Sequence, residues 1–232
     1  MATQLDLTLH KILVAVPVFN EEKSIAQLLF EIQNYFSRTD ILVVDDGSTD
    51  QTADILNDCP CQVVTHAYNR GKGAALLTAI DFALKKTYKW IICMDGDGQH
   101  SPRFLPDFCM AIAADRFDII IGSRYERHKR MPFHRILSNG ITSVIISLCV
   151  NKYRIKDSQS GYRALRLSQL NINAFHETGF QLESEMLIKS GRAGSRILQI
   201  PIDTIYNDEH SSINVILDTI KFIVLIIKSF FW

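Results

Sequence analysis

Three apolar runs in the first hundred residues each stop abruptly at acidic or amide side chains, and this recurrence restricts the possible folds more than any other feature. Ile12–Val18 leads into Asn20-Glu21-Glu22, Ile41–Val44 into Asp45-Asp46-Gly47-Ser48, and Trp90–Met94 into Asp95-Gly96-Asp97-Gly98-Gln99-His100. Short apolar runs of this kind read as strands buried on both faces of a parallel sheet. Helical periodicity fills the intervals. Glu21–Phe36 sets Ile25, Leu28, Leu29, Ile32 and Phe36 on one face, with Asn20 as the expected N-cap, and a further helix is expected from about Gly73 to Lys86. A short helix after Ser48, a strand at Gln62–Thr65, a helix opening at Ser101-Pro102 and a strand at Asp118–Ile121 complete the alternation. The series predicts an α/β chain: an open, mostly parallel, twisted sheet with helices on both faces.

The 232 residues, 47% of them hydrophobic, suit a single α/β domain. Lys+Arg and Asp+Glu both number 25, so no global field favours nucleic acid, and none is expected as a partner. The five cysteines, odd in number and without zinc-ligand spacing, read as reduced thiols in a cytoplasmic compartment. Ile12–Phe19 lacks a small-residue cleavage site and is not expected to be a signal peptide; no stretch reaches the ~20 apolar residues of a membrane span.

In open α/β sheets ligands bind beyond the carboxyl ends of the strands, so the three acidic clusters are expected to meet in one crevice. Strand-end Asp residues also cap turns, and for one cluster alone that would suffice. Three together require a compensating charge: a divalent cation, Mg²⁺ or Mn²⁺, with a phosphorylated ligand. Asp95 and Asp97, two apart on an extended chain, can face one ion. The same spacing also opens some phosphatase sites, with Asp95 as nucleophile and Asp97 as acid. Arg70-Gly71-Lys72-Gly73 precedes a helix and reads either as a turn holding phosphate or ribose, or as a solvated basic turn. Asp157-Ser158-Gln159-Ser160-Gly161-Tyr162-Arg163 reads as a polar loop in which Asp157 is a candidate general base and Arg163 pairs with phosphate or with Asp157. Glu183 and Glu185 would face different ways on a helix, so at most one reaches a given site.

Taken in order over about residues 11 to 212, these motifs resemble family 2 glycosyltransferases of the GT-A type, in particular the dolichyl-phosphate mannose synthase-like group. They are Val16-Pro17-Val18-Phe19-Asn20-Glu21, Val43-Val44-Asp45-Asp46-Gly47-Ser48-Thr49-Asp50, Asn69-Arg70-Gly71-Lys72-Gly73, the Asp95–His100 segment, Gly122-Ser123-Arg124 and Ser160-Gly161-Tyr162-Arg163. The resemblance implies an inverting, metal-dependent transfer of sugar from a GDP- or UDP-sugar, with a polyprenyl phosphate as the leading acceptor. It implies that Pro17, Phe19, Glu21 and Asp46 line the base and ribose pocket, and that Asp95 and Asp97 hold the ion on the donor diphosphate with Gln99 nearby. Asp45, Arg70, Lys72 and Arg124 are assigned to the same donor site. Asp97, Asp157 and Arg163 form the expected catalytic group, with Ser160 on the acceptor side. Phe19 stands where the family often has Tyr, and Tyr206–Ser212 lies where relatives often carry a Gly and a Lys or Arg; His210 is the nearest substitute. Two alternatives stand beside this reading. One is a glycan or other hydroxyl acceptor, with Asp157 as base; the other is a non-catalytic, membrane-associated nucleotide-sugar-binding homologue.

The chain therefore divides into a glycosyltransferase domain over 1–212, with a nucleotide-sugar half over about 11–124 and an acceptor half over about 125–212, and a helix over 213–232. Arg124, Arg127, Lys129, Arg130 and Arg135 precede apolar Ile136–Val150. This order suits a basic mouth for a lipid phosphate, with Arg127 and Arg130 binding the acceptor, or a solvated loop before a core helix. In 213–232, Asn214, Asp218, Lys221, Lys228 and Ser229 fall within one arc of about 100°. The broad apolar remainder predicts a helix lying on a membrane, hence peripheral association with its cytosolic face; packing on the domain core or a homodimer seam are the competing burials.

Overall fold

In the computed structural model, which describes residues 10–124, 133–150, 153–203 and 215–232, Ile12–Val18 forms the strand β1, buried at all seven positions. Six further strands join it: β2 (Ile41–Asp45), β3 (Gln62–Thr65), β4 (Trp90–Cys93), β5 (Ile119–Ser123), β6 (Arg163–Arg166) and β7 (Ile197–Pro201). The sheet order is β3-β2-β1-β4-β6-β5-β7. Every pairing is parallel except those of β6, which runs antiparallel to both β4 and β5. The helices are α1 (Ile25–Ile32), α2 (Thr52–Asp58), α3 (Lys72–Lys85), α4 (Leu105–Ala113), α5 (Phe133–Val150), α6 (Gln181–Arg192) and α7 (Val215–Ser229).

Alternation along β1 builds two cores, because successive strand side chains point to opposite faces. Ile12, Val14, Val16 and Val18 join Ile25, Leu28, Leu29 and Ile32 of α1 and Leu105, Phe108 and Ile112 of α4. Leu13 and Ala15 join Ala75, Leu76, Ala79 and Ile80 of α3, Ile146 and Val150 of α5, and Leu182 and Met186 of α6. Each large aliphatic side chain buried in this way contributes roughly 1.5–3 kcal/mol. The expected α/β domain with helices on both faces is the fold observed.

One local expectation is corrected. Asn20 does not cap the first helix: it sits at φ 58°, and α1 begins only after Ser24. Its side chain is used between loops instead, accepting from the Thr49 N–H at 2.8 Å, while its own N–H donates to Ser48 Oγ at 2.9 Å. The strands β6 and β7 were not anticipated, since four residues of Arg163–Arg166 at the end of a polar loop carry too short a pattern.

α7 packs against α6 and the core with a mixed side inward, in which Phe222, Leu225 and Ile226 stand beside Asp218 and Ser229, while Lys221 and Lys228 stay exposed. Leu225 and Ser229 are fully buried, Gln181 Nε2 donates to Asp218 Oδ1 at 3.2 Å, and Lys228 pairs with Glu177 at 3.0 Å. Arg192 donates to the carbonyls of Cys149 on α5 and Ser229 on α7, tying the two helices together. Ile220, Ile223, Val224, Ile227, Phe230 and Phe231 are left exposed, as are Ile141, Val144 and Leu148 of α5. Among the described residues, no helix is long and apolar enough to cross a membrane.

Candidate active site

The loops that follow β1, β2 and β4 are laced into one crevice edge. Glu21 N–H donates to Thr52 Oγ1 at 2.8 Å, Glu22 N–H to Asp50 Oδ2 at 3.2 Å, and Ser24 Oγ to the Gly96 carbonyl at 2.8 Å. Ser24 Oγ also meets Glu21 Oε2 at 3.0 Å. Phe19 stands exposed at this edge, and Pro17 sits past the end of the β1–β4 pairing, where its missing N–H costs that ladder nothing. Asp45 is buried; its Oδ1 accepts from the Ser48 N–H and hydroxyl at 3.0 and 2.6 Å. Asp45 Oδ2 is buried with no hydrogen-bond partner among the described residues. Asp46 instead builds the next turn, accepting from the N–H groups of Arg70 (3.0 Å) and Gly71 (2.7 Å) and meeting His66 Nδ1 at 2.6 Å.

That turn separates Arg70 from Lys72. Gly71 has φ 96°, and a Cβ there would strike the Thr178 carbonyl, which accepts from the Ala74 N–H at 2.9 Å. The start of α3 is thus closed by the protein's own backbone. Arg70 is exposed and lines a separate cleft with Thr78, Asp81 and Thr178. Lys72 turns inward, 2.6 Å from Asp95 and 3.3 Å from Glu183. Burial disfavours its charge, but the two carboxylates outweigh burial and hold it cationic, with its pKa raised. The same balance acts on Asp95: burial opposes ionisation, and Lys72 and His100 overcome it and hold the carboxyl below its usual range. His100 is buried and pushed down to about 4, chiefly by desolvation, so it is neutral at pH 7 and its Nδ1 accepts from the Asp95 N–H at 3.3 Å. Asp97 Oδ1 accepts from the Gln99 N–H at 2.9 Å. Gly161 completes the centre, because any Cβ there would fall on both Asp95 carboxylate oxygens.

Asp157 is placed differently from its expected role as base. It is fully buried, and Oδ2 accepts from the N–H (2.9 Å) and Nε (2.8 Å) of Arg124, while Oδ1 accepts from Arg124 Nη2 and Asn139 Nδ2, both at 2.9 Å. Burial would raise its pKa, but these donors and the Arg124 charge hold it low. With both oxygens so engaged, the group holds Arg124 and is not poised to take a substrate proton. Arg163 is also fully buried and engaged by the protein itself: Nε and Nη2 donate to the Ser160 carbonyl at 3.0 and 2.5 Å, and Nη1 to the Glu183 carbonyl at 3.1 Å. Ser160 is buried, its Oγ accepting from the Tyr162 N–H at 3.3 Å. Glu183 and Glu185 do face different ways; Glu185 accepts from the His176 and Glu177 N–H groups and pairs with Lys189 at 2.7 Å. Glu183 is the member of the pair that reaches the site, at Lys72, and Asn139 joins it with no local sequence signal, since it is brought in by its helix. Arg127, Arg130 and the 207–210 segment with His210 lie outside the described residues.

The donor set suits a hard divalent cation. Among the described residues, no group of three or more His, Cys, Asp or Glu side chains is placed to hold an ion alone. An ion at Asp95 and Asp97 would therefore take its other oxygens from a diphosphate, as Mg²⁺ bound through one or two carboxylates does.

Known proteins resemble this chain. The family model for glycosyl transferase family 2 matches residues 13–181. An uncharacterized protein of Methanocaldococcus jannaschii is 34% identical over 88% of this chain and 85% of its own length. The undecaprenyl-phosphate mannosyltransferase of Micrococcus luteus is 28% identical over 83% of this chain and 82% of its own. Glucosyl-3-phosphoglycerate synthase from Mycobacterium tuberculosis, in complex with Mn²⁺, UDP-glucose and phosphoglyceric acid, shares the fold with a TM-score of 0.75 at 17% identity, covering 96% of this chain and 80% of that one. Motifs, sheet and relatives agree, and the chain belongs to glycosyl transferase family 2.

Proposed function

We propose that the protein transfers a sugar, with inversion, from a GDP- or UDP-sugar to a polyprenyl phosphate at the cytosolic surface of a membrane. The observation that carries this reading is the Asp95–Asp97 pair at the strand ends, with Lys72 against Asp95 and Arg124 held beside it by Asp157. Asp97 and Asp95 would hold Mg²⁺ or Mn²⁺ on the donor diphosphate, and the ion would offset charge on the departing phosphate. Arg124, pre-oriented by Asp157, faces the same developing charge without having to reorganise. The orphan Asp45 Oδ2, with Pro17, Phe19 and Glu21 along the crevice edge, forms the side for base and ribose. Arg127 and Arg130, which follow Arg124 in the sequence, would bind the acceptor phosphate.

The state of Asp157 supports a lipid phosphate as acceptor. A hydroxyl acceptor needs a base, whereas a lipid phosphate is already anionic at neutral pH, and Asp157 is committed to Arg124. The exposed apolar sides of α5 and α7 support a lipid surface as the docking partner, with 213–232 serving as a membrane-associating helix after the catalytic domain. Relatives named for undecaprenyl phosphate and dolichol phosphate point the same way. A thermal-shift panel of GDP-mannose, UDP-N-acetylglucosamine and UDP-glucose, with and without Mn²⁺, tests the donor; the cognate sugar should stabilise the fold by mass action. Transfer from it to undecaprenyl phosphate in vesicles then tests the acceptor. Stabilisation by none of them, or transfer only to hydroxyl glycans, would overturn the reading.

A further inference from the structure

We propose that Asn139 on α5 is a positioning residue that sets the Arg124 guanidinium through Asp157, and so joins the outward apolar helix to the reacting phosphates. The inference rests on the reading above that Arg124 faces those phosphates.

A carboxylate with no solvent exposure needs donors on both oxygens. Arg124 supplies three: its N–H and Nε to Oδ2 and its Nη2 to Oδ1. Asn139 Nδ2 supplies the fourth, to Oδ1 at 2.9 Å. A carboxylate only accepts, so the amide nitrogen must be the end facing Asp157, and Asn139 Oδ1 then accepts from Ser143 Oγ at 3.2 Å. Ser143 Oγ in turn accepts from the Ser158 N–H at 2.9 Å, so the residue after Asp157 is tied to the same stretch of helix. Asn139 and Ser143 are four apart, both buried, and lie on the side of α5 opposite the exposed Ile141, Val144 and Leu148. One rigid helix therefore carries the apolar surface on its outer side and the support for Asp157 on its inner side. If packing alone mattered, an apolar side chain at 139 would serve; it would also take one donor from Asp157 and loosen the acid that aims Arg124.

The test uses the full chain as wild type, Asn139→Ala, Arg124→Gln and the double variant. Initial rates of transfer to undecaprenyl phosphate are measured with GDP-mannose or UDP-N-acetylglucosamine, whichever the wild type uses. A second readout is the ¹⁵N–¹H signal of Arg124 Nε, identified by its loss in Arg124→Lys. Asn139→Ala is expected to lower kcat about ten- to a hundredfold with little change in donor KM. It is expected to add no further loss in the Arg124→Gln background, and to speed exchange of the Arg124 Nε–H with water. A loss that multiplies in full in the double variant, or an unchanged Nε–H, would overturn the proposal. If Asn139→Ala does not fold, Asn139→Asp, of the same size but with a second carboxylate against Asp157, carries the same expectations. If the wild type uses neither donor, the functional reading has failed, and the Nε–H signal alone decides whether Asn139 positions Arg124.

Discussion

α1 and α7 are both amphipathic, yet they differ in what they leave outside. α1 stands by the crevice and buries Ile25, Leu28, Leu29 and Ile32, leaving Gln27 and Glu31 outside, bonded to each other at 2.8 Å. α7 buries Ser229 together with Leu225, turns Asp218 to Gln181, and presents Ile220, Ile223, Val224 and Ile227 outward. Apolar side chains leave water because exposing them is unfavourable, so an outward apolar side of this extent marks a surface for contact. α5 extends the same surface with Ile141, Val144 and Leu148. The comparison teaches that one domain has two unlike outer surfaces: a polar crevice at the strand ends and an apolar layer over α5 and α7.

The largest expected effect separates catalysis from the layer. Asp97→Ala should lower transfer roughly 10²- to 10³-fold, because the ion loses a ligand where charge develops. Its unfolding midpoint and its binding to anionic vesicles should stay near wild type, since a half-exposed strand-end carboxylate supports little packing. Near-normal transfer by the pure variant in Mg²⁺ or Mn²⁺ would remove Asp97 from the metal site, and full wild-type activity in excess chelator would remove the metal.

The next pair sets the two sides of α7 against each other. Leu225→Ala should cost about 2–5 kcal/mol in urea unfolding, as a fully buried aliphatic replaced by a cavity. Ile223→Ala, on the outer side, should change stability by no more than about 0.5 kcal/mol. Vesicle sedimentation should reverse the ranking, with Ile223→Ala and Ile227→Ala together weakening binding while Leu225→Ala leaves it intact. Equal stability costs at 223 and 225 would show that the outer side is covered by protein, and a change from dimer to monomer in the 223/227 variant would name that cover.

Gly161→Ala should cost about 1–3 kcal/mol, since the added methyl must displace the Asp95 carboxylate or the loop beneath it. A variant with wild-type stability and transfer rate would mean that the loop yields freely, and that the crevice is less tightly determined than its hydrogen bonds imply.

The smallest effect is one of pH. The folded pKa of Asp157 lies below its usual value, so its stabilisation is fully present above the unfolded pKa of about 3.9 and is lost as pH falls through the folded value. Urea midpoints of the wild type should therefore drop more than those of Asp157→Asn as pH falls below about 4. Parallel curves for the two proteins would contradict the Arg124–Asp157 pairing.

Local pattern was enough for β1 to β5, because an apolar run long enough to be a strand declares itself without knowing its neighbours. It was also enough to bring the acids after β1, β2 and β4 to one edge, since parallel strands share a carboxyl end. The sequence likewise showed that Glu183 and Glu185 must part on a helix, and that residues 214–229 carry one polar arc. Tertiary structure alone decided the rest. Asp157 lies 33 residues from Arg124, and no spacing rule connects them until β6 inserts antiparallel between β4 and β5 and folds its loop beneath Asp95. A helical wheel gives the width of an arc but not which side meets the protein; α7 meets it with Phe222, Leu225, Ile226 and Ser229, and Gln181, Glu177 and Arg192 bind the polar groups of that side. Periodicity is set by neighbours three or four residues away, whereas the partner of a charge is set by the whole fold.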